Sequence, residues 1–266
     1  SREDLRKLVP QLNLDGRHPV CGGFIQDRGG ISRHDAVAWA YARQASAAGV
    51  DIVQQCEVTG MECTDNRVLA LHTSRGRIGA DRVALCVAGH SGPLAAMAGL
   101  RLPVTTIALQ AMVTEPVRPI FHTVMMSARV HVYVSQSDRG EIVVGGGADL
   151  FNSYAQRGSL DTHLNNLSAL VELLPMFSRL RMLRHWAGTC DMAYDVSPIV
   201  GKTPLENLYI STGWGTGGYK AIPAGGDTLA WTIAHDRPHE LIRPFQLDRF
   251  ASGRLLDEGA ASGVAH

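Results

Sequence analysis

An apolar strand that runs straight into glycine and then into a helix occurs twice in this chain, and nothing else in it narrows the fold as far. The first instance is Val83-Ala84-Leu85-Cys86-Val87-Ala88-Gly89-His90-Ser91-Gly92. The second is Leu208-Tyr209-Ile210-Ser211, followed by Gly213-Trp214-Gly215-Thr216-Gly217-Gly218-Tyr219-Lys220 and a helix from about Ile222 to Ala234. A short, continuously apolar run bounded by glycine reads as a buried strand. Glycine at its end lets backbone approach a neighbour or a ligand without a side chain in the way. The helix start that follows offers free N–H groups and a favourable dipole for negative charge. Strands and helices alternating in this way belong to layered α/β architecture.

The rest of the chain fills in that architecture. Residues 1–12 read as a short amphipathic helix ended by Pro10, and residues 20–26 as a short strand leading into Arg28-Gly29-Gly30. From Asp35 to about Ala48 the apolar positions 37, 40, 41, 45 and 48 follow helical spacing, with Gly49 as the natural stop. Strands are expected at Val50–Gln54 and around Cys56–Met61, then a hairpin pairing Arg67–Thr73 with Arg77–Ile78. The apolar strand Arg82–Ala88 and a small-residue helix from about Ser91 to Ala98 follow. The middle turns β-rich, at Pro103–Val113, Val130–Ser135 and Glu141–Gly145, before a helix over Leu160–Leu174 closed by Pro175.

Composition excludes several classes of function. The 266 residues carry 25 Lys plus Arg against 25 Asp plus Glu, so no basic field points to nucleic acid or an anionic membrane. No apolar run approaches the roughly 18 residues that span a bilayer, and the first residues have no apolar signal region. Five cysteines without a C-x-x-C pair, several in apolar strand-like surroundings, suit reduced core thiols in a cytoplasmic protein. The eleven histidines form no metal-ligand spacing, so no metal is expected.

One histidine stands apart. In Gly29-Gly30-Ile31-Ser32-Arg33-His34-Asp35-Ala36-Val37-Ala38-Trp39, His34 sits beside a flexible Gly-Gly and directly before the amphipathic helix. A covalently held cofactor needs a nucleophilic ring nitrogen kept still near it, with close backbone approach allowed. The plainer reading makes His34 an exposed residue at a helix start, with Ser32 and Asp35 as caps. Lys220 likewise is either a cation for a substrate carboxylate or a solvated lysine in a glycine-rich turn.

Taken in order, these segments resemble the D-amino-acid-oxidase-like family of FAD-dependent amine oxidoreductases, and within it the β subunits of heterotetrameric sarcosine oxidases. Further matches are Trp186–Asp191, Asp195–Gly201, Gly145–Tyr154 and Phe250–Glu258. The resemblance implies an FAD/NAD(P)-binding-like α/β domain interleaved with a substrate domain of β-sheet plus helix. Residues 35–98 and 186–250 would form the partial FAD-binding part, and 1–34 and 99–185 the substrate and FMN side. It makes His34 the attachment point of covalent FMN, with Arg33 beside it favouring an anionic reduced ring. Gly215, Thr216, Gly217, Gly218 and Lys220 would meet the ring end of non-covalent FAD. Val58 would border its adenine, Gly89 its diphosphate, and Lys220 the substrate carboxylate. The implied reaction is oxidative demethylation of sarcosine, or a related N-methyl amino acid, to glycine and formaldehyde or methylenetetrahydrofolate. Electrons pass from FAD to FMN to oxygen, in a cytoplasmic assembly with α, γ and δ subunits that serves sarcosine catabolism.

The sequence departs from the family pattern in places. No G-x-G-x-x-G follows a strand near the start, so the expectation is a C-terminal portion lacking the first βαβ unit and the arginine that unit would bring to the substrate carboxylate. Gly145-Gly146-Gly147 ends a strand without opening a helix and does not replace that loop. Tyr194 stands where proline is usual before Asp195, and Cys190 is displaced by two residues from the cysteine that tethers FAD in monomeric relatives, so it reads as a core thiol. Two alternatives remain: a one-flavin amine or imino-acid dehydrogenase of the same family, or an inactive fragment.

Overall fold

The computed structural model describes residues 1–256. The matching residues Asp257 and Glu258 lie outside them. Along the chain run α1 (Arg2–Leu8), α2 (His34–Ala47), β1 (Val58–Thr64), β2 (Arg67–Thr73), β3 (Gly76–Gly79), β4 (Val83–Leu85) and α3 (Ser91–Met97). Then come β5 (Val104–Pro116), β6 (Met125–Ser127), β7 (Val132–Gln136), β8 (Glu141–Asp149), α4 (Leu160–Leu173), β9 (Met182–Ala193), β10 (Ile199–Lys202), β11 (Leu208–Thr212) and α5 (Ile222–His235). The result is the expected mixed α/β fold.

The strands form three sheets: β1-β2-β3, β10-β11-β4 and β6-β7-β8-β5-β9. The first is a meander whose opening turn is Asp65-Asn66, both at positive φ, between paired Thr64 and Arg67. Two left-handed residues match the twist of the flanking strands, which is why Asx residues occupy that turn. In the second sheet β11 pairs in parallel with β4 and antiparallel with β10. Its alternate residues enter different cores. Ile199, Leu208 and Ile210 pack with Val83, Leu85 and Ala95, while Val200 and Tyr209 pack with Leu229 of α5 and Ile242. A sheet covered on both faces needs apolar residues at every position, hence the continuous run that sequence shows at Leu208–Ile210.

The third sheet is antiparallel throughout, and its long central pair is β5 with β9. One face buries Met112, Val132, Val134, Ile142 and Val144 under Leu170, Leu173 and Leu174 of α4 and the following turn. Here the expectation of a sheet with a helix on one face holds. β9 starts in this core with Met182 and ends in the β4-β10-β11 core with Ala193. The strand therefore runs across the residue-186 boundary expected from sequence.

Several expected elements differ. Residues 20–26 and 50–54 form no strand. Phe24, Val50, Ile52 and Val53 are exposed, and no neighbouring strand supplies the ladder that an extended segment needs. The strand over 82–88 shrinks to Val83–Leu85, because β11 pairs with those three residues alone. Ser32 and Asp35 do not cap α2, whose N-cap is Arg33 without a side-chain bond. Gly213 onward does not enter an α-helix directly: Gly215–Ala221 is a 3₁₀ helix that precedes α5. Among the cysteines only Cys190 is buried; Cys56 is half-buried, Cys21, Cys63 and Cys86 are exposed, and all five are free.

Candidate functional site

A cavity of about 1720 Å³ opens between the face of the third sheet that α4 leaves bare and the segment leading into α5. The sheet wall carries Leu109, Ala111 and Val113 of β5, Tyr133 of β7, Val143 of β8 and Trp186 and Gly188 of β9. Period-two alternation sends these residues one way and Met112 the other. Gly188 has no heavy atom within 4 Å of where a Cβ would stand, so the wall there is flat and open. Burial raises the Tyr133 phenol above its ordinary value. The opposite wall comes from Trp214, Gly215, Thr216, Gly218, Tyr219 and Ile222, with Ile31, His34 and Asp35 at one side.

The junction between the two walls is fixed by Asp191. Its buried carboxylate accepts from the Thr212 hydroxyl at 2.7 Å and from the Gly213 amide at 2.5 Å. An isolated bridge pairs Met192 with Trp214, and the Trp214 indole donates to Ser211 Oγ at 2.9 Å. Trp214 explains two of the glycines. A Cβ at Gly218 would stand 2.6 Å from Trp214 Cβ and one at Gly225 2.9 Å from its indole ring, so these positions are small to seat that side chain. Gly226, by contrast, lines the cavity with nothing within 4 Å of a Cβ.

Of the residues singled out from sequence, the structure brings His34, Gly215, Thr216 and Gly218 to this one cavity. Gly217 and Lys220 are exposed and lie outside its lining, although Tyr219 between them is part of it. Arg33 is exposed and within 3.8 Å of Asp35. The Ala36 amide, with smaller help from Arg33 and His34, holds the Asp35 carboxyl below its ordinary value. Val58 opens β1 in a different sheet. Gly89 is buried, and a Cβ there would stand 2.6 Å from Thr189 Cβ, so packing against β9 demands glycine at that point. Its neighbour Ala88, at φ +45°, is the residue that reaches the cavity. Cys190 also lines the cavity, and burial first, then Asp191, pushes its thiol up to about 12. Sequence reasoning missed Tyr133, Trp186 and Gly188 as site residues, because only the pairing of β7, β8, β5 and β9 brings them onto one wall.

The cavity suits a flat aromatic group. Its size exceeds the roughly 300–1,000 Å³ of most small-molecule sites. Its lining is mostly apolar, and Gly188 and Gly226 leave backbone bare in it. Among the described residues no three His, Cys, Asp or Glu side chains gather as metal ligands, and no helix is long and apolar enough to cross a membrane.

Comparison with known proteins places the geometry in context. Residues 1–231 match the family model described as FAD dependent oxidoreductase. The chain is 49% identical over 265 residues to the sarcosine oxidase subunit beta of Rhodobacter capsulatus, covering 99% of this chain and 64% of that one. It is 48% identical over 266 residues to the subunit of the same name from Arthrobacter sp, covering 99% of this chain and 66% of that one. It thus spans slightly under two thirds of the length of these curated relatives. In fold it is similar to L-proline dehydrogenase from P. horikoshii, with a TM-score of 0.84 at 22% identity, covering 96% of this chain and 69% of that one.

Proposed function

The chain belongs to the FAD dependent oxidoreductase family, and from that premise we propose that it serves as the flavin-bearing β subunit of a sarcosine oxidase. The observation that carries the proposal is a single cavity bordered both by His34 and by the glycine-rich segment Gly215–Gly218. The identity of 48–49% to subunits of that name supports it. The proposed reaction is oxidative demethylation of sarcosine, or a close N-methyl amino acid, to glycine and formaldehyde or methylenetetrahydrofolate. The proposed setting is cytoplasmic, with α, γ and δ subunits as partners.

When bound, the flavins would supply the redox chemistry that the proposed amine oxidation needs. The chain's own residues hold and orient. Gly215, Thr216 and Gly218, with Gly217 between them, would present backbone to FAD in the 3₁₀ turn that precedes α5. Trp186 and Gly188 form the wall that would keep water from the reacting carbon. Lys220, next to Tyr219, carries the flexible cation proposed for the substrate carboxylate; anchoring replaces a two-body encounter with a positioned one. His34, which borders the cavity, is the proposed FMN attachment. Arg33 adds positive charge near that point. Val58 and Gly89 remain proposed neighbours of the adenine and diphosphate ends.

The test is the intact mass of the denatured chain taken from the assembled oxidase. One FMN increment, mapped to the peptide containing His34, is expected. His34→Ala should abolish the increment and leave sarcosine-dependent dye reduction at FAD largely intact. Covalent flavin surviving in His34→Ala would overturn the assignment of that residue. A folded wild-type chain without the increment would favour the one-flavin alternative.

A further inference from the structure

Residues 21–47 are held in place by little else in the molecule. α2 buries none of its residues, and the segment before it forms no strand. Among the described residues, one hydrogen bond joins this stretch to any element downstream of it: Ser32 Oγ and Tyr219 Oη, 187 positions apart in sequence, lie 2.8 Å apart. The two ends of that bond belong to the two segments that border the cavity. Ser32 is two residues before His34, and Tyr219 is in the 3₁₀ turn that carries Gly215 and Gly218. Tyr219 lines the cavity and Ser32 does not.

We propose that Tyr219 is a positioning residue: through Ser32 it registers the histidine segment on the glycine-rich segment and so sets where His34 stands at the cavity. The inference rests on the covalent-flavin reading for its functional consequence, but its physical content is separate. A tether of one bond matters here because the stretch has no competing burial to place it. A hydroxyl pair is suited to the task, since each partner can donate or accept and neither needs a charge. Anything that orders the 3₁₀ turn, a ligand against Gly215 and Gly218 included, would then order His34 as well, which links the two flavin positions through one side chain.

Three variants of the assembled oxidase test it: Ser32→Ala, Tyr219→Phe and the double change. Ser32→Ala is the cleaner probe, because it leaves the cavity wall untouched. Two readouts are needed, hydrogen exchange of the amides over residues 29–36 and covalent flavin per chain under limiting expression. Each single change should speed exchange by about two- to tenfold, the factor one hydrogen bond is worth. Each should lower flavin attachment in step. The double variant should be no worse than either single one, and Ser32→Thr, which keeps a hydroxyl, should restore both readouts. Unchanged exchange and unchanged attachment in both single variants would overturn the proposal, as would additive effects in the double. If the wild type carries no covalent flavin, yet both changes speed exchange, the tether stands and the covalent reading falls.

Discussion

At the scale of single residues, the strongest polar commitment lies outside the cavity. Arg249 donates from Nε and Nη2 to both oxygens of Asp195 at 2.7 and 2.8 Å, and again from Nη2 to the Ser197 carbonyl at 2.8 Å. The side chains are only 3% and 2% exposed, which sets this pair apart from the surface ion pairs of the chain. Burial works to raise the Asp195 carboxyl. The Arg249 hydrogen bonds and the amides of Leu256 and Ser197 outweigh it and hold the group below its ordinary value. A depressed folded value means that the stabilisation is present above the unfolded carboxylate pKa of about 3.9 and is lost as pH falls through the folded one. Asp195→Asn should therefore cost roughly 3–5 kcal/mol at neutral pH, because it leaves the guanidinium buried and unpaired. Urea midpoints of wild type and variant, compared from about pH 7 down to about pH 3, should converge toward the acid end. A constant gap would mean that Asn is penalised by shape and not by charge. The adjacent Tyr194 amide donates to the Pro103 carbonyl at 3.1 Å.

At the scale of elements, the triple glycine in β8 illustrates what sequence could and could not convey. Gly145-Gly146-Gly147 reads as the end of a strand that fails as a phosphate loop, yet β8 continues to Asp149. Its pairing with β5 shifts there: Ala111 faces Gly145 and Leu109 faces Ala148, so Gly146 and Gly147 together oppose Gln110. This is a β-bulge with one extra residue, and both glycines in it are at positive φ. A Cβ at Gly146 would stand 2.1 Å from the His131 carbonyl oxygen, and backbone cannot swing aside as a side chain can. Gly146→Ala should cost at least about 2 kcal/mol in urea unfolding, from strain and overpacking together; a change under about 0.5 kcal/mol, as at an ordinary surface position, would mean the bulge relaxes. The helices α2, α3, α4 and α5, the hairpin of β2 and β3 and strands β5, β7 and β11 were legible because local periodicity and glycine stops report them. β6 and β9 were not, since a strand defined by its partner leaves little mark in its own residues. The same physics made 20–26 and 50–54 look like strands that nothing pairs. In the cavity, the glycine-rich segment and His34 were legible from composition and spacing. The sheet wall was not, because Tyr133, Trp186 and Gly188 come together only through strand register.

At the scale of the molecule, two cores of different make-up share strands β5 and β9, and the element carrying His34 belongs to neither. β9 leaves the α4-covered sheet with Met182 and reaches the β4-β10-β11 core with Ala193, so the two bodies cannot unfold far apart from each other. α2 stands outside this cooperation. It has 14 residues, no side-chain cap and no buried position, and isolated helices of that length are marginal in water. Opening α2 should thus cost far less than opening β5, whose Ile107, Ala108 and Met112 are buried. In the 266-residue chain, exchange-mass measurements should find the α2 amides protected by no more than about tenfold, the range expected of a fraying element. The β5 amides should exchange only with global unfolding. If α2 exchanged as slowly as β5, some cover for Trp39 and Tyr41, exposed at 59% and 51%, would have to exist. The Ser32–Tyr219 tether would then be redundant. If α2 exchanges fast, the histidine sits on a helix that packing does not hold. Its placement at the cavity then depends on the contact made by Ser32 just before the helix and not on packing along its length.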